Sequence, residues 1–554
     1  MDVHEMELDE KLHTFWELES IGIKQEENSV LETFKETITF TNQRYEVALP
    51  WKEAHDPLPD NHSLSQRRLQ SLLKRLGQKP EQLDEYDRVI KDQLDKGIIE
   101  RVDQSEKAQP CHQIHYLPHH CVVREDKSTT KLRIVYNASA RENGPALNDC
   151  LHTGPSLTPD ILDILIRFRV QPVALVADIE KKEDRDVLRF LWVDVVNSAE
   201  PKIVEYRFAR VVFGVTSSPF LLNATLLKHI TSYENEDPEF INQMLCSLYV
   251  DDLSLSLEDV DKAYQLYLNS RERMAQGGFN LRKLLTNSRP LMEKIKEMES
   301  QRELSMQPEK GNQLNEDDET YNRIMVVGLE ERDVNTEQKV LGSNWNYFTD
   351  ELLFKFQPHV ERAQGLMPTK RNILRVIASF YDPMGLISPI IVQMKILLQD
   401  ICKTDYHWDA ELDSELKTRW IKLISELGQV NVIQIPRCVT SEPDTKELVY
   451  ELGTFGDASC SAYAAVVYLV IKSRISTQVR FIASKTRVAP LKKQTIPRLE
   501  LLFALILARL TARIKTALEQ CLVSAVSAAE QTRRMFCTGS RGRIKNGSGS
   551  STTE

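Results

Sequence analysis

The sequence has no run of about 20 apolar residues, the length a helix needs to cross a bilayer. Its longest apolar stretches, around Ala462–Ile471 and Leu501–Ala508, fall well short, so neither a transmembrane segment nor a membrane partner is expected. No apolar region follows the first residues, Met1-Asp2-Val3-His4-Glu5-Met6-Glu7, so a secretory leader and export are not expected. There is no disulfide pattern either. Nine cysteines, an odd number with no recurring interval, suit reduced thiols in a cytoplasmic or nuclear setting. A basic excess is also missing: 71 Lys and Arg stand against 81 Asp and Glu, for a net charge of −10. That excludes a wholly basic nucleic-acid binder and leaves room for a local basic groove. No internal repeat is visible. Asp-Thr-Gly and Asp-Ser-Gly are absent as well, and such loops supply the proton-sharing carboxylate dyad of aspartic peptidases.

What is present is a chain of 554 residues, room for three or four modules at roughly 150 residues each. Residues 1–60 are acidic and irregular and read as a leading linker. Asn61 or Ser63 can cap a helix carrying Leu69, Leu72, Leu73 and Leu76 at helical spacing, and a second helix from Glu81 to Lys96 stops at Gly97. Short β-rich runs follow at Leu132–Tyr136, Pro172–Ile179, Val187–Val193, Ile203–Phe208, Gln243–Val250 and Leu253–Leu257, with helical stretches between them. The fold class expected is therefore α+β, with residues 61–290 as the first large module. Residues 291–335, rich in Glu, Asp, Gln and Asn, read as a solvated linker. A strand at Lys339–Trp345, a long helical stretch from Thr369 to Cys402 broken at Asp382–Pro383, and a helix from Glu411 to Leu427 make residues 336–440 a helix-rich module. Residues 441–525 form a third, from the strand Leu448–Phe455 to a helix over Leu499–Leu522. The Gly- and Ser-rich end of 526–554 should lack order.

The most informative stretch is Leu248-Tyr249-Val250-Asp251-Asp252, followed by the strict alternation Leu253-Ser254-Leu255-Ser256-Leu257. Two adjacent carboxylates thus sit at the tip of a β-hairpin. Alone, an Asp-Asp turn is ordinary turn chemistry. Asp178, at the end of the apolar strand Val173-Ala174-Leu175-Val176-Ala177, could converge with that tip. Three carboxylates can hold two Mg²⁺ ions roughly 4 Å apart, which activate an attacking hydroxyl and stabilise the leaving oxygen of an in-line phosphoryl displacement.

Tyr249-Val250-Asp251-Asp252 resembles the catalytic hairpin of reverse transcriptases. Its neighbours resemble the polyprotein of BEL/Pao-type LTR retrotransposons over nearly the whole chain. The matching stretches include Phe15–Gly22, Tyr116–His120, Leu132–Ala140, Ala177–Lys181, Asp184–Trp192 and Phe213–Phe220. The resemblance implies a right-hand fingers and palm, a helical thumb and connection, and a truncated RNase H-like module. It implies RNA-directed DNA polymerase activity with Mg²⁺, acting on an RNA or DNA template-primer with dNTPs. Asp178, Asp251 and Asp252 would be the metal ligands. Arg133 would touch the incoming triphosphate, and Gly214, Ser218, Pro219, Phe220 and Tyr249 would line the nucleotide and template pocket. Lys283, in the motif Gly278–Lys283, would protonate the leaving pyrophosphate. Asp457 and Glu500 resemble the first two acidic positions of an RNase H-like nuclease.

The sequence also departs from the family. The segment between Asp178 and Leu188 is shorter than usual, so no residue is assigned as the gate that excludes a 2′-hydroxyl. Asn137 stands where Asp is usual, and Leu284 where Trp is usual. After Asp457 there is no further Asp or His, so a nuclease site with four carboxylate-type ligands is not complete. One alternative is therefore an inactive remnant that at most binds nucleic acid. Residues 471–545 carry sixteen Lys and Arg against three Glu, enough local charge to neutralise phosphates. Another alternative, an aspartic peptidase, rests only on a family label for residues 336–440. Asp382, in a helix break, is explained by capping. Cys111, His112, His115, His119, His120 and Cys121 offer soft ligands for zinc, yet their spacing fits no common finger.

Overall fold

The computed structural model describes residues 28–41, 44–95, 97–102, 114–123, 132–180, 188–196, 198, 201–208, 214–305, 336–404, 406–440 and 448–522. The Phe15–Gly22 and Asp184–Val187 stretches, Phe213, Cys111, His112, residues 306–335 and the 526–554 tail lie outside the described residues. The chain divides into two compact units. One holds residues 23–160 and 173–336, the other residues 1–22, 161–172 and 337–554. Both mix helices and sheets, as the α+β expectation requires. Among the described residues no helix is long and apolar enough to cross a membrane.

In the first unit, helices His62–Leu76 and Pro80–Asp95 bury Leu69, Leu72, Leu76, Leu83, Tyr86 and Ile90. These side chains share a core with Phe190 and Trp192 of a three-stranded antiparallel sheet, ordered Ile99–Arg101, Ile203–Phe208, Arg189–Val193. The hairpin His119–Val123 and Leu132–Tyr136 covers the same core. At its centre His119 is fully enclosed: its Nε2–H donates to the Leu191 carbonyl at 2.8 Å, and Tyr86 Oη donates to Nδ1. A second core lies beneath a four-stranded antiparallel sheet ordered Asn280–Thr286, Val173–Glu180, Asp252–Leu257, Leu248–Tyr249. It packs on helices Ser218–Thr231, Pro238–Ser247, Val260–Gln276 and Arg289–Ser305.

Several expectations are corrected here. The expected Gln243–Val250 strand is mostly the helix Pro238–Ser247, because Asp237 accepts from Phe240 N and Pro238 pre-sets the first turn. Residues 28–47 are not a linker: Val30, Phe34 and Val47 are buried against Phe220, Leu221 and Ala224. The solvated linker expected from 291 begins later, since Leu291 and Ile295 of the Arg289–Ser305 helix are buried in this second core. Neither Asn61 nor Ser63 caps the first helix. Asn61 is left-handed, with φ 56°, and its Nδ2 donates to the Ala140 carbonyl, while Asp60 accepts from His62 N and Glu142 from Leu64 N.

The second unit opens with a four-stranded antiparallel sheet ordered Glu337–Val340, Ser343–Asn346, Glu351–Lys355, Val432–Pro436. The single expected strand at Lys339–Trp345 is thus two, turned at Leu341 and Gly342, both with positive φ. Helices Gln357–Gln364, Lys370–Ala378, Ser388–Lys403 and Ser414–Gly428 build one apolar core. The break between the second and third is held by Asp382, whose carboxylate accepts from Leu386 N and Ile387 N at 2.8 Å each. A three-stranded meander, Val449–Ala458, Ala462–Lys472 and Thr477–Val488, then packs on helix Ile496–Glu519.

Helix Ile161–Val170, expected within the polymerase part, belongs to this second unit. Its residues 162 and 164–170 are buried, the charged Arg167 and Arg169 among them, so nearly every face of it must be enclosed. Asp163 pairs with Arg513, and Arg437 fixes the helix end. Arg437 is fully buried and uses all five N–H donors: two on the Asp350 carboxylate and one each on the carbonyls of Phe168, Gln171 and Pro172. Removing one partner of a buried ion pair costs about 3–5 kcal/mol. Asp350→Ala is therefore expected to lower the stability of this unit by about that much, read from its denaturation midpoint, with Asp350→Asn losing less.

Burial holds His119 at about 4, below the ordinary imidazole value. The unfolded chain therefore takes up a proton that the folded chain refuses. The stability from this neutral ring is whole above about pH 6.5 and is lost as pH falls towards 4, by about 3 kcal/mol. Burial lowers His115 and His229 as well, with the same sign. In urea titrations of the first unit, His119→Gln should flatten the stability profile between those pH values.

Candidate active site on the paired-aspartate hairpin

The hairpin that carries the paired aspartates is short. Leu248–Tyr249 pairs with Asp252–Leu257 through Asp252↔Tyr249 and Leu253↔Leu248, leaving Val250 and Asp251 as the two-residue turn. Val250 has φ 57°, a left-handed conformation at the first turn position, where glycine normally sits. For a β-branched residue this is strained. Alternation along the second strand puts Leu253, Leu255 and Leu257 in the helix-packed core, which leaves Asp252, Ser254 and Ser256 on the other face.

The central strand Val173–Glu180 pairs with both neighbours. Asp178 stands directly opposite Asp252 on one side and opposite Arg282 on the other. The row across the sheet is Arg282, Asp178, Asp252, Tyr249. Directly opposed antiparallel positions have Cβ atoms about 4.5–5.5 Å apart, and like charges there repel. Asp251, half-exposed at the turn, follows next to the row. Aspartates at these three positions carry only oxygen donors, the ligand type that Mg²⁺ takes. For Asp178 and Lys283 the description covers backbone and register. Lys283 follows Arg282 at a bulge, since Arg282 pairs with Asp178 and Leu285 with Val176. Bulges of this kind re-aim side chains beside active sites. Arg282 was not singled out from sequence, although it directly precedes Lys283 in the quoted motif.

The other expected pocket residues are spread more widely. Arg133 is exposed on the Leu132–Tyr136 strand, opposite Val122. Tyr249 is half-buried. Gly214 has φ 108°, and a Cβ there would stand 2.5 Å from the Tyr136 carbonyl oxygen. Asn148 bridges this turn, donating to the Gly214 carbonyl and accepting from Thr216 N. Ser218 and Pro219 open the helix Ser218–Thr231. Phe220, expected to line the nucleotide pocket, is instead 4% exposed and belongs to the core with Phe34. Its ring lies against Gly154, where an added Cβ would come within 2.2 Å.

In the second unit Asp457 and Glu500 are both exposed. A Cβ on Gly456 would meet the Phe503 ring at 2.5 Å, so the helix Ile496–Glu519 covers the Gly456 side of its strand. Alternation directs Asp457 to the opposite side, and the two acidic positions are not brought together. Among the described residues no group of three His, Cys, Asp or Glu is gathered to hold a metal.

With this geometry in hand, comparison with known proteins gives the following. Residues 369–529 match the family model described as the Pao retrotransposon-like RNaseH-like domain. The resemblance to a retrotransposon Pol polyprotein is borne out. The match runs through both the helices before 428 and the meander after 449, across the boundary expected at 440. It describes an RNaseH-like domain and not a peptidase, so the peptidase alternative loses the label on which it rested. Two solved structures are similar. The foamy viral protease-reverse transcriptase in complex with RNA/DNA hybrid has 13% identity and a TM-score of 0.42, over 93% of this chain and 56% of that one. The foamy viral protease-reverse transcriptase dRH in complex with ds DNA has 14% identity and a TM-score of 0.42, over 91% and 73%. This chain thus spans about 56% of the length of the first. No curated protein matches in sequence.

The Gly154 contact is open to a direct test. Gly154 has φ 76°, so Gly154→Ala adds left-handed strain of about 1–3 kcal/mol to an overpacking cost of similar size. A fall in stability of about 2–5 kcal/mol is expected in chemical denaturation, and Phe220→Leu in the same chain should restore part of it.

Proposed function

We propose that the chain is the reverse-transcriptase and RNaseH-like part of a BEL/Pao-type retrotransposon polyprotein, and that it extends a primer with deoxynucleotides on an RNA or DNA template. The observation that carries this reading is the register of Asp178 opposite Asp252, with Asp251 at the adjoining turn. Asp178, Asp251 and Asp252 would hold Mg²⁺, which supplies activation of the primer hydroxyl and stabilisation of the leaving oxygen. Lys283, on the strand that also pairs with Asp178, would give a proton to the departing pyrophosphate. Arg133 would meet the triphosphate. Gly214, with no side chain, would let the backbone approach the nucleotide, and Tyr249 would flank it.

Template and primer would be held mostly through phosphates, so binding should weaken with salt. The sixteen basic residues within 471–545 are suited to that role. A cytoplasmic or nuclear product would suit nine cysteines that follow no recurring interval.

A second reading, a remnant that binds nucleic acid without catalysis, is favoured for the RNaseH-like part by one observation. Alternation turns Asp457 away from the face that Gly456 presents to the helix bearing Glu500. On this view Asp457 and Glu500 mark a nuclease site without activity.

Primer extension with Mg²⁺ at low salt decides between polymerase and remnant. Extension is expected, and Asp251→Asn should cut its rate on the order of 1,000-fold, since metal stabilisation of the transition state is worth several kcal/mol. Extension that Asp251→Asn leaves unaltered, or none at all from a folded chain, would sink the polymerase reading.

A further inference from the structure

Helix His62–Leu76 carries Arg67, Arg68, Lys74 and Arg75 and no acidic residue, in a chain whose net charge is −10. Arg67 is neutralised by Glu142. Arg68 has no hydrogen bond or ion pair among the described residues, and Arg75 has only a 3.7 Å contact to Cys121 Sγ. Both line a cavity of about 310 Å³ between this helix and the start of the His119–Val123 strand. That volume is at the lower end of ligand pockets.

The cavity wall is one-sided in charge. Arg68, Arg75 and the exposed His120 contribute cationic or N–H donors, and no Asp or Glu lines it. Leu72 and Pro118 provide an apolar floor, completed by the His119 ring. Both His119 nitrogens are committed, to Leu191 and Tyr86, so that ring offers only its carbon face. Ser71 also borders the space, but its hydroxyl donates to the Arg67 carbonyl at 3.0 Å and is spent. Guanidinium groups over an apolar floor bind an anion more strongly than they would in open water. Their planar forks match phosphate oxygens two at a time.

Arg68 and Arg75 lie seven residues apart on one helix face, about 10.5 Å along the axis. A nucleic-acid backbone, with a charge about every 3.4 Å per strand in a helix, offers successive phosphates over that length.

We infer that this cavity is a phosphate-ester site for a nucleic-acid strand, distinct from the paired-aspartate hairpin. The inference rests on the nucleic-acid reading above for the source of the phosphate, and on Arg68, Arg75 and His120 for the site itself.

The test uses the full chain and a short fluorescein-labelled single-stranded RNA, followed by anisotropy across a salt series, with adenosine monophosphate as a separate titrant. Arg68→Gln with Arg75→Gln should weaken RNA binding roughly tenfold. It should also lower the slope of log affinity against log salt by about 1.4, at about 0.7 for each lost contact to a single strand. Lys74→Gln, on the same helix but outside the cavity, should change affinity less than about twofold. Loss of adenosine monophosphate binding with RNA binding intact would keep the phosphate site and assign it to a free nucleotide. If the double variant alters neither ligand, or if Lys74→Gln does as much as the pair, the site is refuted. Primer extension by the parent chain is scored as a separate assay, so a failed polymerase reading and a failed cavity are read separately. Circular dichroism and the melting temperature confirm that the variants fold.

Discussion

The second unit depends on Arg437. A guanidinium with no solvent exposure has to find partners for five donors and one charge, and here each donor is satisfied. Two go to Asp350, which also accepts from the Trp345 indole, and three go to the carbonyls that end the helix Ile161–Val170. A lysine could not do this, because an ammonium has three donors and no planar fork. Arg169 lies beside this ion pair and donates to the carbonyls of Arg437, Ile482 and Phe481 and to Met384 Sδ, with no carboxylate partner. Burial, then the neighbouring Arg437 charge, brings it down to about 10. The ion pair thus ties three separate stretches of sequence together. The chain leaving it at Pro172 becomes the strand that carries Asp178.

The two halves of the molecule treat their acidic residues differently. In the first, antiparallel register sets the Asp178 and Asp252 positions opposite each other and leaves Asp251 at the adjoining turn. In the second, Phe503 occupies the space over Gly456, and alternation turns Asp457 away from the face that Gly456 presents to the helix bearing Glu500. A fold can keep its layers while a site dissolves, because packing is spread over dozens of apolar contacts and chemistry over three or four side chains.

Much of this was legible in the sequence. The Leu69, Leu72, Leu76 spacing, the alternation Leu253–Leu257 and the apolar run before Asp178 each follow from one local period, and each forms the expected element. Local signals also explain two misreadings: Asp237-Pro238 starts a helix where β-prone residues suggested a strand, and Gly342 turns a hairpin inside an apparent single strand. Long-range facts were not legible. No local pattern pairs Arg282 with Asp178, and none sends helix Ile161–Val170 to partners near residue 437. Phe220 looked like a pocket residue because its neighbours are motif residues, and only the left-handed Gly154 beneath it reveals a core position.

The enclosure of helix Ile161–Val170 has a consequence for how the chain is born. Pro172 and Arg437 are 265 residues apart, and a ribosome adding roughly 5–20 residues per second needs about 13–53 s to cover them. Throughout that interval a helix with seven apolar residues in ten has left the exit tunnel without its enclosure. The nascent chain must be shielded there, by a chaperone or by transient burial in the half that is already complete, and a stall in translation would leave it exposed.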